Sequence, residues 1–321
     1  MKKVFIFALA AMTFVACNKG TTPEPEKETS KELTPGAACF MNAAAFNGIF
    51  SEASNGMARV ASAGKQNLPA YFATEPAEYP IVEWTPKDGT WPIDVTLNYG
   101  ENPVVAQDGL EHAGVMELHA TGLFETAGSV FTPTFKDFYT YGTIVSGLQT
   151  ITNKGANEAG NLVYEVVVEG GRMGKKPVFV YDEKSLREEI TPGQFSITGT
   201  MKSVSQVDTV PGFEASANEK PMVIAFGDLY PTDGVVHVKF DKPLEYFIGD
   251  QFSEAALQSL TVKVSELDIT FLGKQADGTY NAQVDMDVNV MTMAYHMKAT
   301  FSLNKDGIIP ESVKYDKPTQ K

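Results

Sequence analysis

The stretch "DVTLNYGENPVVAQDGLEHAGVMELHATG", residues 94–122, decides how the chain is read. It holds two histidines, several acidic residues and four glycines, so it builds either an active site or a pair of strands around a turn. Ile93, Val95, Leu97 and Tyr99 alternate with Asp94, Thr96 and Asn98, the period of a strand with one buried face. Gly100, Asn102-Pro103 and Asp108-Gly109 then supply turn residues. From Gly114 alternation resumes, with Val115, Glu117, His119 and Thr121 on one side and Met116, Leu118 and Ala120 on the other. On this reading His112 lies in the turn and His119 on a polar strand face, and neither is catalytic.

The grammar repeats outward from this stretch. "GSVFTPTFKDFYTYG" (128–142), "TIVSGLQTITNKG" (143–155), "GNLVYEVVVEGG" (160–171) and most runs after Pro192 are β-branched or aromatic, bounded by Gly, Pro, Asp or Asn. "KPVFVYD" reads as a strand and "EKSLREEI" after it as a helical turn. The expected fold is all-β, built of antiparallel sheets as a sandwich or half-barrel in one or two modules. The Ala-rich run 37–63, with Phe40, Met41, Ala44, Phe50 and Met57, adds one short amphipathic helix. The boundaries follow: residues 1–16 a signal peptide, 17–36 a tether, 37–77 a helical or irregular segment, 78–192 a first β-module and 193–321 a second.

Met1-Lys2-Lys3 followed by the apolar run Val4–Val15 is a signal peptide, shorter than the ~20 residues that span a bilayer. "FVAC" (14–17) resembles a lipobox, with Phe14 where Leu is usual. The resemblance implies that Cys17 becomes the lipidated N-terminus, anchored by chains that contribute about 0.8 kcal/mol per buried CH₂. "NKGTTPEPEKETSKELTPG" (18–36) has a single Leu and cannot bury enough apolar area to offset its ordering entropy. With Cys17 acylated, Cys39 has no partner for a disulfide, and one cysteine does not make a structural zinc site. The formal charge of −14 becomes −16 once Lys2 and Lys3 leave with the signal, which speaks against nucleic acid and anionic lipid as partners. The expected location is the outer membrane, on its periplasmic or cell-surface face.

The run from Tyr79 to Glu169 carries "YPIVEWTP", "WPIDVTLNYG", "DGLEHAGVMELHATG", "GSVFTPTF" and "ITNKGANEAGN". It resembles a family of β-rich, lipid-anchored Bacteroidota envelope proteins of unknown function. The resemblance implies a lipid-anchored β-rich body and transfers no catalytic residue.

No Gly-x-Ser-x-Gly elbow is present, and the histidines are four: His112, His119, His237 and His296. Nothing marks two of the 40 Asp and Glu residues as a glycosidase pair. No catalytic residue, metal site or cofactor is therefore assigned. "DMDVNVMTMAYHM" (285–297), read as one strand, puts Met291, Met293, Tyr295 and Met297 on one face. That face suits core packing, a pocket for an apolar ligand, or a soft metal. Phe131, Phe135, Tyr139 and Tyr141 form a second such row, suited to core packing or to stacking on sugar rings. The expected role is non-enzymatic binding of a lipid or glycan by a membrane-anchored body. The alternative is a structural or interaction subunit of a fimbrial or envelope complex.

Overall fold

The alternation of 93–99 folds as read: Ile93, Val95, Leu97 and Tyr99 are at most 1% exposed, and Met116, Leu118 and Ala120 are fully buried opposite them. The computed structural model describes six residues between 46 and 57. From Pro80 to Lys321 it describes all but 89, 107–110, 141–142, 174–178, 207–210, 218–219, 226–227, 229, 248–260, 291 and 305–306. The strands are β1 (Ile81–Thr85), β2 (Ile93–Val105), β3 (Glu111–Ala120), β4 (Val130–Thr140), β5 (Thr143–Ala156), β6 (Leu162–Met173), β7 (Phe179–Thr191) and β8 (Gln194–Ser205). They continue as β9 (Phe213–Ser216), β10 (Met222–Ala225), β11 (Gly234–Phe247), β12 (Thr261–Lys274), β13 (Tyr280–Val290) and β14 (Met293–Asn304). The short pieces β15 (Gly307–Ile308), β16 (Lys314–Tyr315) and β17 (Thr319–Gln320) end the chain.

These strands make one open, antiparallel sheet, so the fold is all-β. Consecutive strands pair from β1 through β8 and again from β11 through β14. Two short strands join the halves. β10 pairs with Gln194–Ile197 of β8, while β9 pairs with Thr200–Ser203 of β8 and with His237–Phe240 of β11. Gly199 lies between these two segments of β8, at φ +144°, and a side chain there would begin 2.3 Å from the Lys184 carbonyl oxygen. The sheet passes without a break through the tight β7–β8 hairpin at residues 192–193. Both edges are blunted. β1 is five residues long between Pro80 and Pro86, and the far edge is three fragments interrupted by a 3₁₀ turn at Pro310–Ser312.

Four expectations need correction. β2 runs on through Gly100 to Val105 with two register shifts, and His112 is in β3, not in a turn. Its ring is 2% exposed, stacked on Phe138 and 5.0 Å from the Tyr99 ring. "EKSLREEI" is not helical; it is the second part of the 13-residue strand β7. The row Phe131, Phe135, Tyr139, Tyr141 does not share one face. A bulge at Asp137 (φ 49°) and Gly114 (φ 76°) reverses the alternation, so Phe131 and Phe138 are buried and Tyr139 turns to the opposite face. Tyr141 lies outside the described residues. The run 285–297 is not one strand but the two arms of the β13–β14 hairpin, which puts Met286 directly opposite Met297.

Gly114 shows why that bulge needs glycine. A Cβ there would begin 2.2 Å from the Asp137 carbonyl oxygen, at a backbone angle that L side chains avoid. Gly114→Ala is expected to destabilise by about 1–3 kcal/mol, read as a lower urea midpoint. An unchanged midpoint would mean that β3 and β4 separate more easily there than the close approach implies.

Candidate functional site

The inner face of β5 to β8 is built around β7, where buried Phe179 is followed inward by Tyr181, Glu183, Ser185 and Arg187, each at most 4% exposed. A polar row on a buried face is costly unless every member is paired. Here Glu183 collects the donors. The Tyr181 hydroxyl donates to its Oε2 at 2.9 Å, the Ser185 hydroxyl to Oε1 at 2.5 Å, and the Arg187 guanidinium to Oε1 at 3.2 Å. Burial, and then the Glu183 charge, push the Tyr181 hydroxyl well above its ordinary value. Tyr181 therefore stays a protonated donor, and Glu183 is held in place by three side-chain donors.

The N-terminal helix lies over this row. Phe46, Ile49, Phe50, Ala53 and Met57, all at most 1% exposed, fall on one helical face at spacings of three, four and seven. Phe50 and Met57 were expected on a packed helix; Phe40, Met41 and Ala44 lie outside the described residues. Phe46 stacks on Tyr181 with ring centroids 5.7 Å apart and sits against Gly171, where any side chain would begin 2.5 Å from its ring. The Gln149 amide donates to the Phe46 carbonyl at 2.9 Å. Phe50 is ringed by Phe124, Tyr164 and Phe195, with the Arg187 guanidinium 4.5 Å from its ring centre.

The outer face of the same strands is open. Glu165, Lys184, Leu186, Thr198 and Thr200 line a shallow depression of about 310 Å³ beside Gly199, with Ser185 beneath it. Leu186 is 44% exposed at its centre. Lys154 reaches Glu165 at 3.5 Å from the next strand. Above it, Glu188 accepts hydrogen bonds from the Asn161 and Asn157 amides at 2.7 and 2.8 Å. These two bonds tie the "NEAGN" turn to β7 and hold the Glu188 carboxyl below the usual carboxylate range, Asn161 contributing most. A folded pKa below the unfolded value gives stability that is present above about pH 4.3 and lost as pH falls through the folded value. In Glu188→Gln, the stability deficit against wild type is expected to shrink as pH is lowered through this range in urea titrations. A deficit independent of pH would rule out this linkage.

Every exposed histidine among the described residues faces an aspartate directly across the sheet. His119 Nδ1 is 2.7 Å from Asp94 Oδ1, His237 Nδ1 is 2.7 Å from Asp268 Oδ1, and His296 Nδ1 is 3.1 Å from Asp287 Oδ1. All three pairs stand in solvent, where such contacts are worth little. Among the described residues no group of three or more His, Cys, Asp or Glu side chains could hold a metal ion. Asp228, Lys274 and Tyr280 form a second polar cluster. Lys274 donates to Asp228 and lies 5.3 Å over the Tyr280 ring. The bond to Asp228 pushes the Lys274 amine up, and burial, with Asp228, pushes the Tyr280 hydroxyl to about 12. Both keep their protons at neutral pH, so the cluster offers neither a free amine nor a phenolate as nucleophile.

The residues singled out from sequence do not come together. Phe131 is fully buried in β4, Phe135 is half-buried and Tyr139 is on the other face. Met297 is 1% exposed in the core of β14, Tyr295 is half-buried, and Met293 is 42% exposed at the hairpin end, with the Tyr295 hydroxyl 3.5 Å from its sulfur. Met291 lies outside the described residues. The β7 row escapes the sequence reading because, from Glu183 on, its inward residues are polar and carry no apolar alternation. No family model matches this chain, no curated protein matches it, and no solved structure matches it.

Proposed function

We propose that this chain is a lipid-anchored protein of the outer membrane, held through Cys17, which binds a glycan without catalysing a reaction. The observation that carries the reading is the outer depression at Gly199. It combines two threonine hydroxyls, a carboxylate, an amine and a small apolar platform at Leu186 on an open sheet face. Sugars need that mixture: hydroxyl-matched donors and acceptors around a patch that takes a C–H face. The inner face supports a lipid cargo less well, since the chain's own helix occupies it over β5 to β8. An acidic body accords with a neutral or cationic glycan.

The test is calorimetric titration of the protein with envelope and host oligosaccharides, using Lys184→Ala and Thr198→Val as variants. Both side chains are on the outer face and leave the β7 inner row intact. The reading predicts binding that both variants weaken at least about tenfold, or about 1.4 kcal/mol. Binding untouched by either variant, or none across a broad panel, would reject it. A second reading, a structural subunit of a fimbrial or envelope complex, draws on the filled inner face. Its fimbrial form needs an edge strand to exchange, and the blunted edges count against that.

A further inference from the structure

Around the outer depression, the fold has bonded the polar groups on three sides and left those on the fourth free. Glu165 is held by Lys154 at 3.5 Å, Glu188 by the Asn157 and Asn161 amides, and Asp182 by the Gly170 backbone N–H at 2.8 Å. On β6, Lys184 faces only the apolar Val167. Toward β8 the pattern reverses. Lys184 lies opposite Thr200, Thr200 opposite Ser216 of β9, Ser216 opposite His237 of β11, and His237 opposite Asp268 of β12. None of these five residues is buried. With neighbouring strands ~4.8 Å apart, the row carries polar side chains over about 19 Å.

Among the described residues, the Lys184, Thr200 and Ser216 side chains make no hydrogen bond or ion pair. His237 and Asp268 bond to each other through Nδ1 and Oδ1. That leaves His237 Nε2, 3.7 Å from Glu266, and Asp268 Oδ2 with no hydrogen bond among the described residues. Donors and acceptors placed one per strand match a ligand that repeats its hydroxyls along its length. Lys184 near one end and Asp268 at the other give the row no net charge, which fits a chain without one. We infer, on the strength of the glycan reading of the depression, that the ligand is a linear, neutral glycan laid across the strands. One sugar sits on Leu186, and those that follow run over Thr200 and Ser216 to His237 and Asp268. A lone terminal sugar would fill the depression and leave the row unused.

The test uses size ladders of β-1,4-linked glucose, mannose and N-acetylglucosamine, from disaccharide to octasaccharide, titrated into the protein by calorimetry. With one of these backbones, affinity should rise with length and then level off. The octasaccharide should bind at least about tenfold more tightly than the disaccharide. His237→Ala and Asp268→Asn together should remove that gain. His119→Ala, at the like His–Asp pair on the far side of the depression, should leave it intact. All three side chains stand in solvent, so the urea midpoints should match the wild type. A long chain held no better than a disaccharide would overturn the inference and leave the glycan reading standing. So would a gain that survives the loss of His237 and Asp268, or one that His119→Ala abolishes equally. Absence of binding by every ladder would also overturn it, and the broader oligosaccharide panel would then decide the glycan reading by itself.

Discussion

Arg187→Ala should destabilise the protein by about 3–5 kcal/mol, the usual cost of leaving one member of a buried ion pair alone. The arginine is 2% exposed, it donates to Glu183, and it caps the Phe50 ring. Its loss strands the Glu183 carboxylate under the helix with two hydroxyl donors remaining, Tyr181 and Ser185. A loss of that size is a large share of the 5–15 kcal/mol that holds a typical domain together. The companion experiment is more discriminating. Glu183→Leu with Arg187→Met removes both charges and keeps the volume, so the double variant should be more stable than Arg187→Ala. Urea unfolding of the three proteins decides it. A double variant no better than Arg187→Ala would mean that the pair contributes more than its own neutralisation.

Phe50→Ala is the second large effect, expected at about 3–5 kcal/mol. The ring contacts Phe124, Tyr164, Phe195 and Arg187, so truncation opens a cavity between the helix and β5 to β8 and uncovers a charged group at once. The effect should not stay local. Amide exchange in β7 should rise with it, because the helix is what keeps water from Glu183 and Arg187. Near-wild-type stability would place the helix outside the cooperative unit.

Much of the fold could be read from the residues because most strands obey one rule. Ile93 to Tyr99 and Met116 to Ala120 alternate cleanly, and burial follows that alternation. Where reading failed, a local cue pointed the wrong way or was absent. Asp108-Gly109 reads as the turn that would hold His112, but β3 begins at Glu111 and the imidazole packs against two aromatic rings that also touch each other. Asp137 gives little warning that it will take a left-handed angle and switch the faces of Phe138 and Tyr139. "NVMTMAY" reverses direction without glycine, proline or an Asn-Gly pair, so the methionines seemed to continue one strand. "EKSLREEI" is rich in helix formers, and pairing with β6 and β8 overrides that preference. The same inversion hid the β7 row. From Tyr181 to Arg187 its inward residues are charged or hydroxylated while Leu186 faces out, so polarity on that part of the strand predicts the wrong side.

The central claim is that the inner face over β5 to β8 is closed by the chain's own helix and that ligands meet the outer face. Native mass spectrometry of residues 37–321, produced without detergent, tests it most directly. The account predicts the mass of the polypeptide alone, with a discrete oligosaccharide increment only when a binding glycan is added. A lipid-sized increment that co-purifies and vanishes on denaturation would contradict it, placing an apolar cargo where the account puts Phe46 and Phe50.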